Sequence, residues 1–174
     1  MKKKSTNKLS IGSERQISYH RALIGNDEIK ELIACVKSGW LTTGPRVKQF
    51  EADFSRYMGA KFAIALNSCT AALHLALEAM DLKDNDIVLV PTMTFAATAE
   101  VVRYFDAIPV FVDCNENDYC IDPVALRDTC ERIVSGKRVK GLPSKHGLIR
   151  AIIPVHFGGA PADMNEIAKI ARKY

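Results

Sequence analysis

The residues best placed to do chemistry fall at three points where a strand-like run gives way to a helix or turn. The first is Asn67-Ser68-Cys69-Thr70-Ala71-Ala72-Leu73. A helix N-terminus leaves backbone N–H groups unpaired and carries the positive end of the helix dipole, so it favours an anion, phosphate above all. Ser68 and Thr70 add hydroxyl donors, and the small Ala71 and Ala72 let a ligand come close to the backbone. The same residues also suit plain N-capping by Asn67 or Ser68, which needs no ligand. The segment carries neither a GxGxxG fingerprint nor a GxxxxGKS/T loop, so neither a dinucleotide site nor an ATP P-loop is supported.

The second point is Pro91-Thr92-Met93-Thr94-Phe95, after the next apolar run. Ligands of open parallel sheets bind beyond the carboxyl ends of the strands, which puts Phe95 near the same rim as Ser68 and Thr70. An aromatic ring there can stack on a planar ligand; a core phenylalanine at a helix start is the plainer alternative. The third point is Pro154-Val155-His156-Phe157-Gly158-Gly159. His156 can donate to a ligand or act as acid or base, although a lone histidine is more often only hydrogen-bonded structure. His74, inside an apolar helix, reads as packing. Asp113 follows a strand but stands alone. No Ser-His-Asp arrangement and no metal-ligand spacing appears.

These points need elements to hold them. Asn26-Asp27-Glu28 opens a helix in which Ile29, Leu32, Ile33 and Val36 recur at helical spacing up to Ser38-Gly39. The turn-rich loop Gly39-Trp40-Leu41-Thr42-Thr43-Gly44-Pro45 leads to a second amphipathic helix carrying Val47, Phe50, Phe54 and Tyr57 and ending at Gly59. Lys61 to Leu66 reads as a buried strand, and Cys69 to Met80 as a helix apolar on nearly every side, hence buried. Strands follow at Ile87 to Val90, Ile108 to Val112 and Ala151 to Val155. Helices are expected from Phe95 to Tyr104, Pro123 to Val134 and Asp163 to Tyr174. Alternating strands and helices imply βαβ units: an α/β chain with a mostly parallel sheet and helices on both faces. Ser135 to Gly147, rich in Gly and Lys, reads as an exposed, solvated loop.

Composition narrows the function. The 174 residues are 48% hydrophobic and 25% charged, which suits a globular chain with a sizeable core. The net charge of +4 equals the contribution of Lys2, Lys3, Lys4 and Lys8, leaving the body neutral (4 − 4). Residues 1–12 therefore read as a disordered basic tail ahead of one domain over 13–174, and no nucleic-acid face is implied. No apolar run follows the tail to make an export signal, and no stretch is long enough for a membrane span. The five cysteines show no CxxC or paired pattern and read as reduced thiols of a cytoplasmic protein.

The set of motifs resembles the DegT/DnrJ/EryC1/StrS aminotransferases. Its carriers are Gly39 to Pro45, Phe50-Glu51, Asn67 to Leu77, Pro91 to Thr98, Pro109 to Asp113, and Pro154-Val155-His156 with Gly159, in family order and spacing from about Tyr19 onward. The resemblance implies the N-terminal part of the large domain of a fold-type I transferase dependent on pyridoxal 5'-phosphate, cycling through pyridoxamine 5'-phosphate. It implies that Ser68, Cys69 and Thr70 line the cofactor phosphate site, that Phe95 stacks on the pyridine ring and that His156 borders the cofactor. The loop with Trp40, Thr42, Thr43 and Gly44 would lie near the active site, which the family builds from both subunits of a homodimer. The implied reaction passes an amino group from an amino acid such as glutamate to a keto-sugar nucleotide, as in polysaccharide or antibiotic sugar synthesis.

The family also needs an Asp against the pyridine nitrogen and a Schiff-base Lys. Both are expected beyond Tyr174, so the chain reads as an incomplete enzyme, inactive alone. A sugar dehydratase of the same fold, with His for the Lys, and a non-catalytic partner protein are the rival readings.

Overall fold

The computed structural model describes residues 21–174; the tail expected over residues 1–12 lies outside them. The chain parts into two compact units after Ala65. In the first, helix α1 spans Asn26–Ser38 and α2 spans Pro45–Met58. The Glu28 carboxylate accepts the Gly25 N–H at 2.6 Å, an orphan donor of the helix start, and that hydrogen bond holds the Glu28 carboxyl below its ordinary pKa. Pro45 sits at the start of α2, where its missing N–H costs nothing. Arg46 of α2 pairs with Glu31 of α1. Ile29, Leu32, Ile33 and Val36 are exposed, as are Phe50, Phe54 and Tyr57.

The second unit holds α3 (Cys69–Ala79), β1 (Ile87–Pro91), α4 (Ala97–Arg103), β2 (Ile108–Val112), α5 (Pro123–Val134), β3 (Ile149–Ile152) and α6 (Met164–Lys173). A short 3-10 turn spans Phe157–Gly159. The strands form a parallel sheet in the order β2-β1-β3, with Ile87 opposite Ile108 and Leu89 opposite Ile152. The central strand is buried along its whole length. Because strand side chains alternate, its two faces feed two cores. Ile87 and Leu89 pack with Leu126, Cys130 and Ile133 of α5 and Ile167 and Ile170 of α6. Val88 and Val90 pack with Leu77 of α3 and Val101 and Val102 of α4. Each such aliphatic side chain contributes about 1.5–3 kcal/mol when fully buried. The fold is thus α/β with helices on both faces of a parallel sheet, as the alternation of elements predicts.

Three expectations need correction. Lys61 to Leu66 is not a strand: among the described residues it joins no ladder, and Phe62 and Ile64 are exposed. A strand exists only by pairing, and the side-chain carboxylate of Glu51, accepting the Ala65 N–H at 2.9 Å, replaces a ladder bond here. Helix α3 is not buried all round, since Leu77 alone of its residues is fully covered. A helix apolar on every side needs cover on every side, and among the described residues α3 meets apolar partners mainly along the face of Leu73 and Leu77. The third strand begins at Ile149 rather than Ala151, although the Ile153 N–H still bonds to Leu89 O at 2.9 Å. By contrast, His74 is packing as expected, its ring edge-on to Tyr104 and Phe105 at 5.3 Å each.

The five cysteines are free. Burial in the α5 core pushes the Cys130 thiol from 9.0 up to about 11. An unfolded chain would release this proton earlier than the folded one. The stability tied to Cys130 is therefore intact below pH 9 and lost as pH rises toward 11. Replacing Cys130 with Ala should flatten the fall in thermal midpoint between those pH values, at the cost of a lower midpoint at pH 7. An unchanged alkaline slope would rule out this cause.

Candidate functional site

A parallel sheet delivers every strand's carboxyl end to one rim, and residues after Pro91, Val112 and Ile152 leave from that side. Helix α3 returns to the same rim from the other direction. Its C-terminal end is tied to the opposite edge, where Arg150 donates to Met80 O at 3.1 Å and the turn of residues 81–86 runs straight into β1. At about 1.5 Å per residue the 11-residue helix rises about as far as five strand residues extend. Its N-terminus therefore reaches the level of the strand ends.

That N-terminus is built by Ser68. With extended backbone (φ −158, ψ 155), its Oγ accepts the Ala71 N–H at 3.1 Å, and its carbonyl accepts the Ala72 N–H at 3.2 Å. The N-cap reading is thus correct for Ser68, but capping accounts for only part of the helix end. The Cys69 and Thr70 N–H groups keep no partner among the described residues. Helices α1, α4 and α6 each place an acid in the first turn, whereas α3, like α2 and α5, places none. The result is a neutral helix end with two free donors, open to an anion.

Phe95 lies on the loop between β1 and α4 and is 80% exposed, so it is not the core phenylalanine of the plainer reading. The loop is braced on both sides. The Thr94 hydroxyl donates to Thr98 Oγ1 at 2.7 Å, and Cys114, just after β2, accepts the Met93 N–H on its sulfur at 3.3 Å. His156 follows β3, the neighbour of β1. Its Nδ1 accepts the Ala162 N–H at 3.0 Å, which leaves Nε2 to carry the proton of the neutral ring as an outward donor. Phe157 packs edge-on to Tyr119 at 5.6 Å. The structure thus brings Ser68, Cys69, Thr70, Phe95 and His156 to one rim of one unit. Sequence reasoning missed the bracing groups Cys114 and Tyr119. The placement of Cys114 two residues after the end of a strand was the available signal; nothing in the sequence marked Tyr119.

The loop carrying Trp40, Thr42, Thr43 and Gly44 belongs to the first unit and is closed on itself. Trp40 Nε1 donates to Thr43 O at 2.9 Å, and its backbone N–H bonds to Ser38 Oγ at 3.1 Å. The indole lies so close to Gly44 that a Cβ there would come within 2.1 Å of Nε1, so only glycine fits beneath the ring. Trp40 and the two threonines remain exposed.

The family model described as the DegT/DnrJ/EryC1/StrS aminotransferase family matches residues 22–174. The chain belongs to that family. A relative, the spore coat polysaccharide biosynthesis protein SpsC of Bacillus subtilis, is 41% identical over 91% of this chain and 37% of its own. A Streptococcus pneumoniae protein assigned as a sugar aminotransferase, solved in its PMP form, superposes with a TM-score of 0.71. It is 30% identical over 90% of this chain and 36% of its own; its PLP form gives the same TM-score. A GDP-4-keto-6-deoxymannose-3-dehydratase superposes with a TM-score of 0.69, at 25% identity over 86% of this chain and 36% of its own. The DegT-family chain described here thus spans little more than a third of the length of the relatives it matches. Among its described residues no helix is long and apolar enough to cross a membrane, and no group of three or more His, Cys, Asp or Glu is placed to hold a metal.

Proposed function

We propose that this chain forms the phosphate-holding side of a site for pyridoxal 5'-phosphate and pyridoxamine 5'-phosphate, in an aminotransferase that passes an amino group from an amino acid to a keto-sugar nucleotide. The observation that carries it is the end of α3, where two free backbone donors meet no acid at the rim that also bears Phe95 and His156. The residues fit the group. The phosphate would take the Cys69 and Thr70 N–H groups with the Ser68 and Thr70 hydroxyls, and the helix dipole adds a favourable field. Phe95 would cover a face of the ring and exclude water from it. His156, its tautomer set by the Ala162 N–H, would hold a proton on Nε2 and donate it in a hydrogen bond at the cofactor's edge. When bound, the cofactor supplies an electron sink for chemistry at the amine-bearing carbon.

No residue of this chain is assigned as Schiff-base lysine or as partner of the pyridine nitrogen; Lys169 and Lys173 lie on α6, each facing a glutamate. Trp40, Thr42, Thr43 and Gly44 would line the substrate side of the pocket, at the boundary of a homodimer. The dehydratase among the structural neighbours supports a second reading, in which the same rim serves sugar dehydration. Titration of the protein with pyridoxal phosphate, followed by its absorbance and by competition with inorganic phosphate, tests the shared claim. Saturable binding relieved by phosphate is expected, and binding indifferent to phosphate would overturn the assignment of α3. Amino transfer from glutamate to a keto-sugar nucleotide, as against loss of its hydroxyl as water, separates the two readings.

A further inference from the structure

Tyr119 has a left-handed backbone, φ 58, where a bulky side chain is rare. It closes a tight hairpin turn after β2. The Tyr119 N–H bonds to Asn115 O and the Asn115 N–H to Cys120 O, each at 2.9 Å, and Cys114 bridges Ile121. Glycine or asparagine would take this conformation at less cost. Such strain persists where the surroundings over-determine it, and here two contacts do so, both on the segment that carries His156. The Tyr119 ring meets Phe157 edge-on, centroids 5.6 Å apart and planes at 60°. The neighbouring Cys120 is buried and directs its thiol at Ala160 O, 3.5 Å away. The hairpin therefore grips the turn of residues 156–162 at two places, between His156 and the Ala162 N–H that fixes its tautomer. Phe157, held by the hairpin, is also partly buried against the core cluster that contains Cys120 and Ile121 together with residues of α5 and α6.

We infer that Tyr119 is a positioning residue: its strained backbone sets its ring against Phe157 and thereby fixes the turn that presents the Nε2–H of His156 at the rim. The inference rests on the cofactor reading of that rim only for its functional consequence. On this reading the position needs the ring of Tyr119 and not its backbone conformation. Phenylalanine would therefore substitute, and asparagine, which accepts the backbone but lacks the ring, would not.

The test compares Tyr119→Asn with Tyr119→Phe by nitrogen NMR of the His156 ring, by exchange of the Ala162 amide and by pyridoxal phosphate titration. In Tyr119→Asn the ring nitrogens should shift toward a mixture of tautomers, and the Ala162 amide should exchange about two- to tenfold faster, the worth of an edge-to-face aromatic pair. Cofactor affinity should weaken by a similar factor, while the thermal midpoint holds or rises because strain is relieved. Tyr119→Phe should restore the tautomer and the slow exchange. Phe157→Leu, which removes the ring's partner and leaves the hairpin untouched, should repeat the loss if Tyr119→Asn folds poorly. A wild-type tautomer and exchange rate in both ring-deleting variants would overturn the inference. A tautomer change in a protein that never binds pyridoxal phosphate would uphold the positioning role and sink the cofactor reading instead.

Discussion

Cys69→Asp is expected to weaken pyridoxal phosphate binding by about two orders of magnitude while leaving the fold as stable as before, or slightly more so. The two effects have opposite signs because they act on different parts of one field. Cys69 is the exposed first residue of α3, whose first turn holds no acid. A carboxylate at a helix N-terminus interacts favourably with the dipole and adds about 0.3–1 kcal/mol of stability. The same carboxylate would sit where the proposed phosphate needs the Cys69 and Thr70 N–H groups. Two like charges about 4 Å apart repel by up to about 4 kcal/mol near a protein surface, so a hundredfold loss, about 2.7 kcal/mol, falls within reach. Cys69→Ser, which stays close in size and adds no charge, should bind nearly as the parent does. Affinity is read by titration and stability by the thermal midpoint. If Cys69→Asp binds within about threefold of the parent, the phosphate is held elsewhere.

Only parts of the site are legible in the sequence. The strand-to-helix passage at Asn67 to Leu73 could be read because Ser68 is a strong capping residue and the apolar run after it has helix-forming composition. Strands β1 and β2 were readable from short apolar runs bounded by Pro91 and Asp113. Their parallel pairing was readable from the helices between them. Residues 61–66 misled because strand composition says nothing about whether a pairing partner is present; alternation there is satisfied by Glu51 and solvent. The brace around His156 was invisible for a related reason. Tyr119 and Phe157 are 38 positions apart (157 − 119) and meet through the rim, while the left-handed turn at Tyr119 uses a residue whose type argues against it. Long-range contacts and strained backbones are properties of the assembled sheet, so local composition does not announce them.

The largest loss of stability should come from the opposite edge of the sheet, at Asp86. Its buried carboxylate accepts the Lys83 N–H on Oδ2 at 3.1 Å and the Leu148 N–H on Oδ1 at 3.2 Å, and it faces Arg150 Nε at 3.6 Å. Its own carbonyl accepts the Ile108 N–H at 2.7 Å. One residue therefore ties the entry of β1 to β2, to β3 and to the turn that ends α3. Gly147 is packed so tightly against it that a Cβ there would lie 2.6 Å from Asp86 Oδ1. Asp86→Ala would strand two N–H groups and leave Arg150 without its counter-charge. Hydrogen bonds to a charged acceptor are worth about 1.5–3 kcal/mol each. The Arg150 pair adds little, because that guanidinium is 40% exposed and screened by water. The expected cost is about 3–4 kcal/mol in chemical denaturation, a large share of a small domain's stability. Asp86→Asn keeps one acceptor and should lose about half as much. Because α3 is anchored at this edge by Arg150 and Met80, the damage should loosen the helix from its far end. Under conditions where Asp86→Ala remains folded, cofactor affinity should fall far less than in Cys69→Asp. A cost below about 1 kcal/mol would mean that water replaces the carboxylate at Lys83 and Leu148, and that the sheet edge holds itself.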